Sequence, residues 1–211
     1  MLVALLLTAP LAFAKPAGAA YDVTWNTKGS LKGVGPFKDV RGRLLTIGDF
    51  SKKFGKADSK RTYDAALMCR VVWKRVGIVA HFSRLQKSHH ACSKSGSNFS
   101  ALAVNAEQTA LWTFGGRSIP PLATETAFRV AFPASTLNYL YPDGSMFPRE
   151  VGWAISKPRK ERYKPNPVAD VAAIFEVKQV ESDPVGNPGV FDAQQRVLDY
   201  VWVVRAGLWN N

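Results

Sequence analysis

The sequence contains only two cysteines, three histidines and three methionines in 211 residues. So few cysteines exclude a disulfide-rich scaffold, and no second ligand pair lies at the spacing of a structural zinc site. From Lys15 onward no uncharged apolar run reaches the roughly twenty residues that a membrane-spanning helix needs. We therefore expect no metal or other cofactor and no transmembrane segment in the mature chain.

The short motifs of the common enzyme classes are also missing. The sequence has no Gly-x-Ser-x-Gly, no His-Glu-x-x-His, no phosphate-binding Gly-x-x-x-x-Gly-Lys-Ser/Thr loop and no dinucleotide fingerprint. Catalytic residues can nevertheless converge from distant positions, so missing motifs do not exclude an enzyme. We expect a non-enzymatic protein and keep a secreted hydrolase as the alternative.

Acidic residues are scarce, with 16 Asp and Glu against 28 Lys and Arg, which gives a formal net charge of +12. The excess lies in residues 1–105, which carry 17 basic and 5 acidic residues, whereas residues 106–211 carry 11 of each. The positive electrostatic field of these residues would attract anions such as teichoic acid, lipid headgroups, nucleic acid or an acidic protein surface. Alternatively, the charge serves only to keep the protein soluble. No nucleic-acid-binding signature accompanies it, so nucleic acid is not the expected partner.

The one long apolar run is residues 1–14, which end in Ala12-Phe-Ala14. This small-x-small ending is typical of a signal-peptidase site, although no Lys or Arg precedes the apolar run. We expect a signal peptide over 1–14 and a secreted, periplasmic or cell-envelope location. No cysteine lies directly after the cleavage site, so a lipid anchor is not expected.

Export changes the interpretation of Cys69 and Cys92. In an oxidising compartment, two cysteines that are the only ones in the chain are most simply explained as a disulfide. The alternative is a metal site built from His89, His90 and Cys92, but neighbouring residues point in different directions. We expect the disulfide.

The pattern of residues predicts one helix and three strands in the first half. Residues 15–32 are small and polar and predict a flexible segment before a first α+β unit over 33–106. Thr46-Ile-Gly-Asp49 resembles a capping motif, and helical spacing of apolar residues up to Gly55 predicts a helix over about 46–54. After a charged loop at 56–64, strands are predicted over 67–74, 77–83 and 98–104, the first two as a hairpin.

The second half, residues 107–211, repeats this order. Thr124 to Phe132 matches Thr46 to Phe54 at Thr, Phe and Phe, and each stretch precedes a helix breaker. Predicted strands follow over 150–156, 171–178 and 197–204. Trp73 and Trp153 are expected in the first strand after each helix. The sequence thus predicts an α+β fold of two tandem units, each a short helix packed on an antiparallel sheet.

Several segments carry a family resemblance: Gly33-Val-Gly-Pro36, the helix from Thr46 to Gly55, Cys69–Trp73 and Gly77–Phe82, with weaker counterparts from Trp112 to Val204. Together they resemble the tandem fold of beta-lactamase-inhibitor-protein-like and SmpA/OmlA-like domains. The resemblance implies two sheets joined side by side into one curved surface that grips a partner protein. The SmpA/OmlA lipobox is absent, and the second unit has no cysteine.

Strand alternation selects the candidate binding residues. His81 shares a face with Val79 and Ser83, either as a surface histidine or as the general base of the alternative hydrolase. A basic and aromatic binding face is expected from Arg70, Lys74, Lys178, Tyr200 and Trp202. For Tyr200 and Trp202 we favour the alternative, in which they lie on the core side of the last strand.

Two further candidates, Arg159 and Arg162, lie in the proline-broken basic stretch 157–167, which is either a clamp for an acidic partner or a solvated loop. The expected function is an exported interaction protein that binds an extracytoplasmic protein or an anionic envelope polymer through the exposed sheet face and basic loops. The alternative hydrolase would be centred on His81. Nonspecific nucleic-acid binding by the basic first half is the third possibility.

Overall fold

The computed structural model describes residues 19–141, 150–158, 169–177 and 196–205. The strands are β1 Tyr21–Trp25, β2 Leu31–Val34, β3 Phe37–Lys38, β4 Ser59–Tyr63, β5 Met68–Trp73, β6 Ile78–Arg84, β7 Ser97–Asn105, β8 Trp112–Phe114, β9 Arg117–Ser118, β10 Thr136–Tyr141, β11 Glu150–Ala154, β12 Val171–Val177 and β13 Arg196–Val204. The α-helices are α1 Ile47–Phe54 and α2 Glu125–Ala131, and Lys74–Val76 and Ala106–Leu111 form 3-10 helices. The expected signal peptide, 1–14, lies outside the described residues.

The strands form two sheets. The larger has eight strands in the order β10-β11-β12-β13-β7-β6-β5-β4, and the smaller has five in the order β3-β2-β1-β8-β9. Neighbours in the larger sheet are antiparallel, and strands from the two halves of the chain meet where β7 pairs with β13. The smaller sheet contains a parallel pair, β1 with β8. The fold is therefore mixed α+β and rich in strands, which confirms the predicted class.

Helix α1 forms where the sequence predicts it, because its signals are local. The Thr46 side chain accepts a hydrogen bond from the Asp49 backbone N–H, and the Asp49 carboxylate accepts one from the Thr46 N–H, which completes a capping box. The helix ends at Gly55, whose φ of +86° suits glycine. Ile47, Phe50 and Phe54 face the core.

Helix α2 also begins after a threonine cap, in which the Thr124 hydroxyl accepts a hydrogen bond from the Ala127 N–H. Phe128 and Phe132 are buried at the positions that correspond to Phe50 and Phe54. Trp73 and Trp153, however, lie in the second strand after each helix. The prediction that each tryptophan lies in the first strand after its helix was wrong. The edge strands β4 and β10 come between the helices and the strands that carry the tryptophans.

The N-terminal segment differs from the expected flexible stretch over 15–32. Tyr21–Trp25 is a strand between β2 and β8, and Val23 is fully buried there. The charged loop expected at 56–64 likewise contains β4, the edge strand next to β5. Charged side chains on an edge strand discourage pairing with other chains, so this strand lacks the apolar alternation that identifies the others.

The core is an aromatic cluster around α1. Phe50 stacks on Phe37 of the smaller sheet at 4.6 Å between ring centroids, and it meets Phe82 and Phe99 of the larger sheet at 5.1 Å each. Helix α2 packs on the same face of the larger sheet through Phe128, whose ring centroid is 5.1 Å from that of Phe175. Both helices therefore lie on one face of the eight-stranded sheet.

The predicted disulfide is present. Cys69 of β5 and Cys92 of the β6–β7 connection are joined, with their Cα atoms 5.1 Å apart. The alternative metal site loses its thiol to this bond, and the His90 Nδ1 accepts a hydrogen bond from the Cys92 backbone N–H. In the part of the chain that the structure describes, none of the helices has the length and apolar character of a membrane span.

Candidate functional site: an aromatic cluster on the sheet

The face of the larger sheet opposite the helices carries the candidate residues. Along β6, Ile78, Ala80 and Phe82 are buried on the helix side, whereas Val79, His81 and Ser83 are partly exposed on the other side. The predicted alternation around His81 is therefore correct. Tyr63, His81, Tyr200 and Trp202 gather on this second face, and we call these four residues the aromatic cluster.

His81 lies at the centre of the cluster. Its Nδ1 is 2.8 Å from the Tyr63 hydroxyl, and its ring meets the Tyr63 and Trp202 rings edge-on, with centroids at 5.8 Å and 5.4 Å. Burial, together with the positive charge of Arg70, lowers the pKa of His81 to about 4. Burial also raises the pKa of the Tyr63 hydroxyl, and Asp64 adds to that effect.

The two shifts leave both groups neutral near pH 7. A phenol donates a hydrogen bond better than it accepts one, so we assign the Tyr63 O–H as donor and the His81 Nδ1 as acceptor. The imidazole then carries its proton on Nε2. The cluster is thus an uncharged aromatic surface. A molecule that covers it does not have to remove water from a charged side chain of the cluster.

Two alanines allow the cluster to form across an intervening strand. His81 on β6 faces Ala101 of β7, and Ala103 of β7 faces Trp202 on β13. Two strand spacings amount to about 10 Å, so the His81 and Trp202 rings must lean toward each other to reach 5.4 Å. A large side chain at either alanine position would stand between them.

Tyr200 and Trp202 are on this face because β13 contains a bulge. Ile174 pairs with Tyr200, but Phe175 pairs with Leu198, which leaves Asp199 as the extra residue. Leu198 and Val201 are consequently buried, while Tyr200 and Trp202 are half-buried. The interpretation of these two aromatics as core residues is wrong, since it assumed uninterrupted alternation.

Two arginines border the cluster. Arg70 is exposed on β5, opposite His81, and Arg61 of β4 is directly opposite Arg70. The strand alternation from which Lys74 was predicted to lie on this face does not reach that residue. The strand ends at Trp73, and Lys74 begins a 3-10 helix that leads to Gly77 at a φ of +67°.

Sequence analysis missed Tyr63 and Arg61, since neither lay in a predicted strand. Of the remaining predicted residues, Arg159, Arg162 and Lys178 lie outside the described residues. Glu176 of β12, next to the buried Phe175, is exposed.

The hydrogen-bond partner of His81 is a phenol, and a base with a pKa of about 4 is a weak proton acceptor at neutral pH. Across the described ranges no group of three His, Cys, Asp or Glu side chains could hold a metal ion.

No protein family, curated protein or solved structure matches this chain.

Proposed function

We propose that this chain is an exported, non-enzymatic interaction protein that binds a partner protein through the aromatic cluster. The observation that carries the proposal is that Tyr200 and Trp202 turn away from the core. The Trp202 ring contacts both Tyr200 and His81, and His81 in turn is hydrogen-bonded to Tyr63. Tyrosine, tryptophan and arginine are the residues that dominate binding energy at protein interfaces, and all three occur here together.

Arg61 and Arg70 fit the border of such an interface. Both are exposed beside the half-buried aromatics, so they add complementarity to an acidic partner and speed encounter more than they add affinity. A protein partner suits this surface better than an anionic polymer, because the centre of the surface is neutral and aromatic. A polymer would be recognised by charge alone.

The order of elements supports two tandem units. A helix precedes four strands in each half: α1 before β4 to β7, and α2 before β10 to β13. Each set occupies one half of the eight-stranded sheet. A duplicated unit of this kind would join its two sheets at β7 and β13 and leave one wide face for a partner.

Export rests on two features. Residues 1–14 have the composition of a signal peptide, and the Cys69–Cys92 disulfide is typical of proteins that leave the reducing cytosol. The positive net charge would then hold the protein near anionic envelope components.

Capture from the envelope of the exporting cell tests the proposal. The full chain is immobilised at about 150 mM salt, a level that screens weak surface attraction, and captured proteins are cross-linked, identified and purified for direct titration. Trp202→Ala should weaken the purified complex about 30-fold, as expected for a hot-spot residue worth about 2 kcal/mol. The control is Val130→Ala, since Val130 is 73% exposed on α2.

Capture of no protein, or equal binding by both variants, would contradict the proposal. Capture of an anionic polymer that both variants bind equally would assign recognition to charge instead.

A further inference from the structure

A second surface feature shares no residue with the aromatic cluster. It is a depression of about 500 Å³, open to solvent, beside the smaller sheet. Its lining includes the β1–β2 turn and the segment after β3, with Ser30, Lys32, Asp39, Arg41, Gly42 and Arg43.

Arg41 is held in place at both ends. Its Nη1 donates to the hydroxyl of Ser30 at 3.1 Å, and Ser30 is only 4% exposed. Its backbone carbonyl accepts from the Arg205 Nη2 at 2.9 Å, while the Arg205 Nη1 donates to the Asn98 Oδ1 at 2.8 Å. A guanidinium ordered before binding loses little conformational entropy when a ligand arrives.

The charges around the depression are unbalanced. Among the lining side chains, Lys32, Arg41 and Arg43 outnumber the carboxylate of Asp39. A second carboxylate, that of Asp170, is buried behind the lining, where it accepts a hydrogen bond from the Leu31 N–H at 2.8 Å. Both arginines bond to neutral oxygens, Arg41 to the Ser30 hydroxyl and Arg43 to the Lys38 carbonyl at 3.4 Å. Three cations around one depression repel each other, so an anion bound among them would stabilise the arrangement.

We propose that this depression binds a phosphate group. Guanidinium groups hold phosphate oxygens through paired N–H donors, and a lysine ammonium adds a point charge. A depression open to solvent accommodates a phosphate whether it is free, part of a polymer phosphodiester or part of a lipid headgroup. The site is independent of the aromatic cluster and of any protein partner.

Gly42 provides the test. No heavy atom lies within 4 Å of the position that a Cβ would take there, and the backbone needs no left-handed φ. Gly42→Glu therefore places a carboxylate at the depression without disturbing packing, and Gly42→Gln adds nearly the same volume without charge. Lys53→Gln on α1, outside the lining, matches the change in net charge.

Calorimetric titration of the full chain with inorganic phosphate at low salt measures the effect. Gly42→Glu should weaken phosphate binding about tenfold, since one added negative charge near the ligand is worth about 1.4 kcal/mol. Gly42→Gln and Lys53→Gln should stay within about twofold of the unsubstituted chain.

Parallel titrations with poly(glycerol phosphate) and with phosphatidylglycerol vesicles, against phosphatidylcholine vesicles, distinguish the sources. If Gly42→Glu weakens binding of a phosphate compound and the two control variants do not, the site is supported. The compound that is affected then identifies the source of the phosphate group. Absence of binding in every titration, or equal losses in Gly42→Glu and Lys53→Gln, would overturn the proposal.

Discussion

His81 and Trp202 lie on strands that do not pair with each other, yet their ring centroids are 5.4 Å apart. They meet above Ala101 and Ala103 of the strand between them. This contact shields the imidazole from water on one side, while Tyr63 covers another. The pKa of His81 therefore reports whether the aromatic cluster covers the imidazole.

The first prediction concerns that pKa. Trp202→Ala should raise the pKa of His81 from about 4 toward the ordinary 6.5, because burial is the larger cause of its depression. Arg70→Gln should raise it by less, since the nearby positive charge is the smaller cause. Proton NMR of the histidine ring signals between pH 3 and 8 measures both changes.

A His81 pKa near 6.5 in the unsubstituted chain would show that the cluster is open in solution.

The local elements of this fold were predictable from the sequence, and the site was predictable only in part. Helix α1 is specified by adjacent residues, from the Thr46 cap to Gly55, so no tertiary information was needed. Strand β4 is a polar edge, and its assignment depends on pairing with β5. Without β4, Tyr63 could not be placed beside His81.

The side that Tyr200 and Trp202 face depended on the bulge at Asp199. A bulge adds one residue and reverses the alternation beyond it. Its presence follows from the pairing of β12 with β13, which the residues of β13 alone do not reveal. Local signals therefore predicted the two α-helices and six of the thirteen described strands, and pairing decided the composition of the cluster.

The second prediction is a loss of stability in acid. The folded pKa of His81, about 4, is below its unfolded value of 6.5. Between these values the unfolded state binds more protons, so the free energy of unfolding falls as the pH drops from about 6.5 to about 4. We expect the loss to be about 2 kcal/mol, below the full linkage value because the ring is partly solvated.

Urea unfolding of the full chain at pH 7, 5.5 and 4 measures this dependence, and His81→Gln serves as the comparison. The glutamine variant should lose less stability over the same interval, because its side chain does not titrate. Asp49 contributes to acid unfolding only below this pH interval. Its hydrogen bonds with Thr46 lower its pKa, so the stability that they provide is lost as the pH falls through the folded pKa of Asp49. Parallel curves for the two proteins would rule out His81 as the cause.

The third prediction concerns the disulfide. Cys69 and Cys92 are 23 residues apart, and closing such a loop restricts the unfolded chain by about 3 kcal/mol in the chain-entropy model. Replacing both with alanine should lower the free energy of unfolding by that amount, and denaturant unfolding measures it. Reduction of the unsubstituted chain should have a similar effect, while the double variant should not respond to reductant.

The last prediction concerns the carboxylate that holds α2 on the sheet. Glu125 is 3% exposed, and its two oxygens accept hydrogen bonds from the Trp153 Nε1 and the Arg196 Nη1, each at 2.9 Å. Glu125→Gln removes the negative charge opposite a mostly buried guanidinium, so we expect a loss of about 3 kcal/mol in the free energy of unfolding.

Glu107→Gln is the matched control, since Glu107 is an exposed first-turn glutamate of a 3-10 helix and should change stability by less than about 0.5 kcal/mol. Chemical denaturation of the two variants at pH 7 gives both values. Equal stability of the two variants would mean that the Glu125–Arg196 pair contributes nothing to the attachment of α2. A large loss confined to Glu125→Gln would instead assign that attachment to the single carboxylate shared by β11 and β13.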